Sequence, residues 1–225
     1  MNCTCKQCRK TFEAEGFDFA GRWFEPNICN DCDLQNIEHA RQQRVRDERA
    51  ALQRRFEKLC PAIYRNSDPQ QLPDRAKAEE VLAWAHGPRG LVVHGHTRRG
   101  KSRAVWMLLA KCIIDRGLTV EAFTDGGFAL AIAEAYGESA DASQSLRKRL
   151  CSADILFIDD FGKCKLTDRV EAELFAVIEA RTSNLLPIIV TTNGTRETFT
   201  RAFSDDRRDP ILERLREFCQ FINFK

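Results

Sequence analysis

No stretch of this chain approaches the roughly eighteen consecutive apolar residues that a membrane-crossing helix needs, so no transmembrane helix is expected. The opening residues, MNCTCKQCRK, have no apolar core of the kind a secretory signal carries, which makes a cytoplasmic location the expectation. A strong charge of one sign is also missing. With 35 Lys and Arg against 33 Asp and Glu, the net charge of +2 says little about partners. Glycine and proline are absent from residues 33–59, where Arg, Gln, Glu and Ala abound, and that stretch reads as a basic helical connector, either a solvated spacer or a surface for nucleic acid or a partner protein. The apolar content of 43% and charged content of 30% over 225 residues fit a soluble chain with one sizeable domain and a small one.

Cysteine is not scarce. Five of the 10 cysteines lie in the first 32 residues, at Cys3, Cys5, Cys8, Cys29 and Cys32. In a reducing compartment they point to metal rather than to disulfides. Cys5-x-x-Cys8 and Cys29-x-x-Cys32 are two knuckles about twenty residues apart, close to the paired-knuckle zinc pattern. Four thiolates close a tetrahedral shell that suits Zn²⁺ and leaves no open catalytic position. Cys3 stands two residues before Cys5 and competes with it as a ligand. The segment between the knuckles is too short for a core of its own and is expected to fold around the metal, giving a zinc-binding module over residues 1–32. Cys60, Cys112, Cys151, Cys164 and Cys219 are scattered, as expected of small buried core residues.

The chemistry is organised around LVVHGHTRRGKSRAVWMLLA, residues 91–110. An apolar run, a glycine-bounded loop and an apolar-rich segment without Gly or Pro reproduce the strand–loop–helix setting of the phosphate-binding G-x-x-x-x-G-K-S motif. The loop residues Gly95, His96, Thr97, Arg98, Arg99 and Gly100, with Lys101, Ser102 and Arg103 opening the helix, form the expected nucleotide-binding set. Backbone N–H groups curl toward phosphate oxygens, and the helix adds the positive end of its dipole. Lys101 is expected on the β- and γ-phosphates and Ser102 on Mg²⁺.

Ile155–Ile158 reads as a buried parallel strand that delivers Asp159 and Asp160 at its C-terminal end, where open α/β sheets bind ligands. Asp159 fits a second Mg²⁺ residue, and Asp160 is placed to polarise an attacking water. Residues 187–192 form another strand, ending at Asn193, whose amide suits the water or the γ-phosphate. Further helices are expected over 74–85, 128–136, 143–150, 167–181, 197–202 and 211–217. Further strands are expected over 118–123 and 219–224, with a turn at Asp125-Gly126-Gly127. The segment PAIYRNSDPQQLP precedes the first strand and is positioned to pack against adenine. Arg147, Lys148 and Arg149 form a basic cluster suited to a nucleic-acid backbone.

GHTRRGKS, ILFIDDFG and IIVTTN, in this order, resemble the AAA+ ATPases of the DnaC/DnaI helicase-loader and IstB group over roughly residues 60–225. PAIYRNSDPQQLP also looks like the segment that opens the ATPase domain there. The resemblance implies a P-loop (ASCE/AAA+-like) parallel sheet with flanking helices, strand order 5-1-4-3-2 and no C-terminal lid. It further implies Walker A roles for Gly95, Gly100, Lys101 and Ser102, Walker B roles for Asp159 and Asp160, and a sensor role for Asn193. Arg214 matches an arginine finger reaching a neighbouring subunit's γ-phosphate, with Arg207 and Arg208 as nearby competitors. The function implied is an ATP-hydrolysing helicase loader, with ATP, Mg²⁺ and Zn²⁺ as cofactors. The partners implied are a DnaB-type replicative helicase, single-stranded DNA and further copies of the chain, and no membrane. Two alternatives keep the same site: an IstB-like accessory ATPase for a transposase acting on duplex DNA, and a zinc-dependent adaptor that holds ATP with little turnover. A small-molecule kinase is disfavoured, because no phosphoacceptor-binding segment stands out.

Overall fold

The computed structural model describes residues 2–194 and 202–225. They divide into two compact units, Met1–Ala51 and Leu52–Lys225.

The first unit contains two antiparallel hairpins, β1 (Asn2–Thr4) with β2 (Thr11–Glu13) and β3 (Phe17–Phe19) with β4 (Arg22–Phe24). It ends in helix α1 (Asn30–Leu59), whose residues from Leu52 belong to the second unit. The helix begins at Asn30 rather than at 33, because Asp31 and Asp33 in its first turn suit the positive end of the dipole. Cys32 therefore lies inside the helix. The exposed surface of α1 carries i,i+4 side-chain pairs, Gln42 to Glu38, Gln43 to Asp47 and Gln53 to Glu57, at 2.7–2.9 Å. The buried interior of this unit is Cys5, Cys29 and Cys32, with Phe12 and Ile28 packed against them.

The second unit is built on five parallel strands: β5 (Gly90–Gly95), β6 (Val120–Thr124), β7 (Ile155–Asp159), β8 (Ile188–Thr192) and β9 (Cys219–Phe224). They lie in the order β6-β7-β8-β5-β9. Counted from the P-loop strand and read from the β9 edge, this is the 5-1-4-3-2 order that the resemblance implies. Strand residues alternate between two apolar layers, since successive side chains leave opposite faces of a sheet. Leu91, Val93, Phe157 and Ile189 meet α3 (Arg75–Leu82) and α4 (Lys101–Arg116). Val92, Leu156, Ile158 and Val190 meet α5 (Asp125–Glu138), α6 (Ala140–Ser152), α7 (Asp168–Ser183) and α8 (Asp205–Phe218). With both faces covered, all four of Ile155–Ile158 are buried, as the continuous apolar run predicts.

Several element ends differ from the sequence expectation, each for a local reason. Asp125-Gly126-Gly127 is the first turn of α5 and not a loop, because the Thr124 hydroxyl caps it by accepting from Gly127 N at 3.0 Å. Asp74 caps α3 in the same way, accepting from Lys77 N at 3.2 Å. Helix α8 starts at Asp205, with two acidic residues in its first turn, and accommodates Pro210. The helix expected over 197–202 falls almost wholly outside the described residues. Cys60, Cys112 and Cys219 are buried as expected, whereas Cys151 and Cys164 are only partly so. Arg181 is fully buried, and no ion pair involves it among the described residues. It donates to Leu150 O at 2.7 Å and to Pro187 O at 2.8 Å, tying the end of α6 to the chain entering β8.

Candidate functional site

The loop between β5 and α4 closes through two glycines that tolerate no side chain. A Cβ on Gly95 would lie 1.9 Å from Phe224 O on the neighbouring strand, and its φ is +132°. Gly100 turns into the helix at φ +94°. Between them Arg98 holds the left-handed conformation at φ 61°, an unfavourable setting for a side chain of this kind.

Lys101 is 6% exposed, so its ammonium is committed to the site. It donates to Gly95 O at 2.9 Å, to His96 O at 2.7 Å and to the Asn193 side-chain oxygen at the end of β8. Burial pulls its pKa down, while Asp160 and Asp159 oppose that shift. Ser102 Oγ donates to Asp159 Oδ1 at 2.6 Å, which brings together the two groups expected at Mg²⁺. Asp159 also accepts from the Thr191 hydroxyl. It is buried, and burial pushes its pKa up against those two hydrogen bonds. Asp160 leaves the strand at φ 58°, with its N–H on Thr191 Oγ1 at 3.0 Å. Its carboxylate accepts from Asn193 Nδ2 at 3.4 Å and from Lys163 Nζ at 3.2 Å.

Lys101, Ser102, Asp160, Lys163 and Asn193 border one cavity of about 670 Å³. Thr97, Arg98, Gly100, Lys101, Ser102 and Arg103 line one side, and Asp160 and Asn193 also face it. The lead-in segment supplies an apolar wall of Ile63, Tyr64, Leu72 and Pro73. Tyr64 stacks on Trp106 of α4 at 6.4 Å, and the Arg103 guanidinium lies 5.9 Å from the Tyr64 ring centre. The arrangement suits a flat apolar group against Tyr64 and a polyanion against the loop. Arg214 does not border this cavity. Its guanidinium pairs with Glu179 of α7 at 2.5 and 3.1 Å.

Three contributors were not singled out from the sequence. Thr191 holds both aspartates, Asp125 anchors the loop that follows them, and Lys163 reaches Asp160. All three stand at or just beyond a C-terminal strand end, the signal that could have found them. The basic cluster on α6 is largely spoken for. Arg147 pairs with Glu173, and Arg149 with Glu121 at 2.7 Å, so Lys148 is the member of this trio without an ion pair among the described residues.

In the first unit the sulfurs of Cys5, Cys8, Cys29 and Cys32 lie within 4.8 Å of one another, and Cys3 on β1 is outside the group. The first knuckle is closed by Arg9 in the left-handed conformation (φ 64°), with Arg9 N donating to Cys5 O at 2.9 Å. Backbone N–H groups of Cys8 and Cys29 aimed at its sulfur bring the Cys5 thiol down to about 6. Burial, then the neighbouring cysteines, push Cys32 up to about 12. Four convergent thiols, three of them buried, fit the closed S₄ shell of a structural Zn²⁺.

A phosphate loop after the first strand of the sheet, an Asp-Asp pair after the third, an Asn after the fourth and the 5-1-4-3-2 order define the class of the second unit, an AAA+-type P-loop fold. Solved structures bear this out. The chain is similar to the DnaC helicase loader (TM-score 0.55, 20% identity, 76% of this chain and 99% of that one). It is similar to DnaI (TM-score 0.56, 16% identity, 71% and 87%) and to AMPPCP-bound DnaA from Aquifex aeolicus (TM-score 0.56, 17% identity, 67% and 45%). The chain spans about half the length of the two AMPPCP-bound DnaA structures and of a DNA replication initiation factor that it matches. No protein-family model matches it, and neither does any curated protein. Among the described residues no helix is long and apolar enough to cross a membrane.

Proposed function

We propose that this protein is an ATP-hydrolysing replicative helicase loader of the cytoplasm. The observation that carries the reading is the convergence of Lys101, Ser102, Asp160 and Asn193 on one cavity, with Asp159 hydrogen-bonded to Ser102, in a fold that overlays nearly the whole of the DnaC structure. Tyr64, Leu72 and Pro73 give adenine an apolar wall. Lys101 and the loop N–H groups hold the phosphates, and Ser102 with Asp159 holds Mg²⁺, which screens the charge of the transferred phosphoryl group. Asp160 polarises the attacking water, and Asn193, bonded to both Lys101 and Asp160, fixes the distance between phosphate and base. Arg214 serves as a finger toward a neighbouring copy, exchanging Glu179 for the γ-phosphate on assembly, so that turnover depends on self-association.

The zinc module and α1 bind a DnaB-type hexameric helicase, and the assembled ATPase units bind single-stranded DNA. Support for the last point comes from a structural neighbour, the replication initiator DnaA, bound to AMPPCP and single-stranded DNA. The test is capture of a hexameric DnaB-type helicase by the full chain and by its Cys8→Ser variant. Capture by the first, and not by the second, is expected. No capture by either sinks the loader reading, and capture of a transposase with assembly on duplex DNA replaces it with the IstB-like one.

A further inference from the structure

Asp125 is 4% exposed, and no ion pair involves it among the described residues. A buried carboxylate without a cation is unfavourable unless hydrogen bonds hold its charge. Here they come from one short segment: Asp125 Oδ2 accepts from Lys163 N at 3.0 Å and from Cys164 N at 2.7 Å. Burial raises the Asp125 pKa, and the backbone N–H groups of Cys164, Gly162 and Lys163 work against that rise. The chain thus sets a costly group under the loop that follows Asp160, and that loop presents Lys163. The Lys163 side chain borders the nucleotide cavity together with Lys101, Ser102 and Asn193. A line of hydrogen bonds joins the two lysines, from Lys101 to Asn193, from Asn193 to Asp160 and from Lys163 to Asp160. The Lys163–Asp160 pair is 69% and 39% exposed, and pairs of that kind contribute little to stability. Support of the fold therefore does not account for that pair, nor for the placing of the Lys163 side chain at the cavity.

We propose that Lys163 is a second phosphate-binding lysine of this cavity, facing the terminal phosphate of a nucleoside triphosphate, and that Asp125 is its positioning residue. The proposal rests on the nucleotide reading above. Four cations border the cavity: Lys101 is held by three acceptors, Arg103 lies against Tyr64 and Arg98 belongs to the phosphate loop itself, whereas Lys163 comes from the opposite loop and pairs, among the described residues, with the Asp160 carboxylate. A terminal phosphate carries more charge than that carboxylate and takes the ammonium from it, leaving Asp160 free to act on water.

The test is calorimetric titration of the full chain with Mg²⁺ and either AMPPCP or ADP. Lys163→Gln is expected to weaken AMPPCP about tenfold, the scale of one charge-assisted hydrogen bond, and ADP less than about twofold. Lys163→Arg is expected to restore most of the AMPPCP affinity. Asp125→Ala is expected to copy the selective loss, and an equal loss of both nucleotides would remove its positioning role. Unchanged AMPPCP affinity in Lys163→Gln overturns the assignment, and so does faster turnover at unchanged affinity, which would make Lys163 a brake on Asp160. A wild type that binds neither nucleotide overturns the nucleotide reading, and the Lys163 assignment with it.

Discussion

If zinc sits among the four sulfurs, its removal should cost the first unit its fold while the second keeps its own. The buried interior of the first unit is made of thiols, with Phe12 and Ile28 partly covered against them, and four of its five aromatics, Phe17, Phe19, Trp23 and Phe24, are exposed. So little buried hydrocarbon leaves the ordering of the two hairpins without a compensating gain. Structural zinc contributes about 10–16 kcal/mol in small metal-folded modules, enough to reverse that balance. Cys8→Ser is the cleanest perturbation, because Cys8 is the exposed member of the four and its loss leaves no packing gap. The assay is zinc content by mass spectrometry together with amide exchange. The wild type is expected to hold one zinc ion with protected amides in the first unit. Cys8→Ser, or wild type after chelation, should lose both, while Cys3→Ser keeps both. The melting transition of the second unit should not move, since its two apolar layers contain none of these cysteines. Affinity should fall as pH falls, because the metal needs thiolates and must displace protons, above all from Cys32 near 12. Protected amides in residues 2–29 of the metal-free protein would refute the reasoning.

Two further outcomes follow from the site. Asp159 has a pKa raised by burial, so protonation stabilises the fold fully below the ordinary value of 3.8, and this gain is lost as pH rises through the raised one. Asp159→Asn should therefore melt higher than wild type at pH 7, by a margin that shrinks toward pH 4, and should lose Mg²⁺-dependent AMPPCP binding; a margin independent of pH contradicts this. Arg98 occupies a left-handed position at φ 61°. Arg98→Gly relieves roughly 1–2 kcal/mol of strain, against about 0.5–1 kcal/mol of added chain entropy. The melting temperature should rise by about 1–3 °C, and a fall would show that the side chain holds the loop.

What was legible in the sequence was local chemistry. GHTRRGKS states its loop through two glycines, one with no room for a Cβ and one at a left-handed φ, and ILFIDD states a buried strand with two carboxylates at its end. The paired C-x-x-C spacing picked out the four sulfurs that converge, but left Cys3 as a rival of Cys5, which only the folded positions separate. The strand order came through family resemblance and not through any pattern in the residues. Illegible were contacts whose partners lie far apart along the chain and carry no spacing signature. Asp125 meets the backbone of Lys163 and Cys164, Thr191 meets Asp159, Arg214 meets Glu179, and Arg147 meets Glu173. Arg147, Lys148 and Arg149 read as a basic run because their acidic partners sit on β6 and α7, about 25–30 residues away and joined only by folding. The start of α5 was missed because two glycines outweighed a capping threonine in the reading, although Thr124 closes the turn.

A self-assembling ATPase that loads a helicase is tested by ATP hydrolysis by the full chain, alone and with single-stranded DNA and a DnaB-type helicase, beside Lys101→Ala and Arg214→Ala. Turnover is expected to rise with DNA or helicase, to vanish together with nucleotide binding in Lys101→Ala, and to vanish with binding retained in Arg214→Ala. Low turnover, indifferent to DNA, to helicase and to both substitutions, would rule the loader function out.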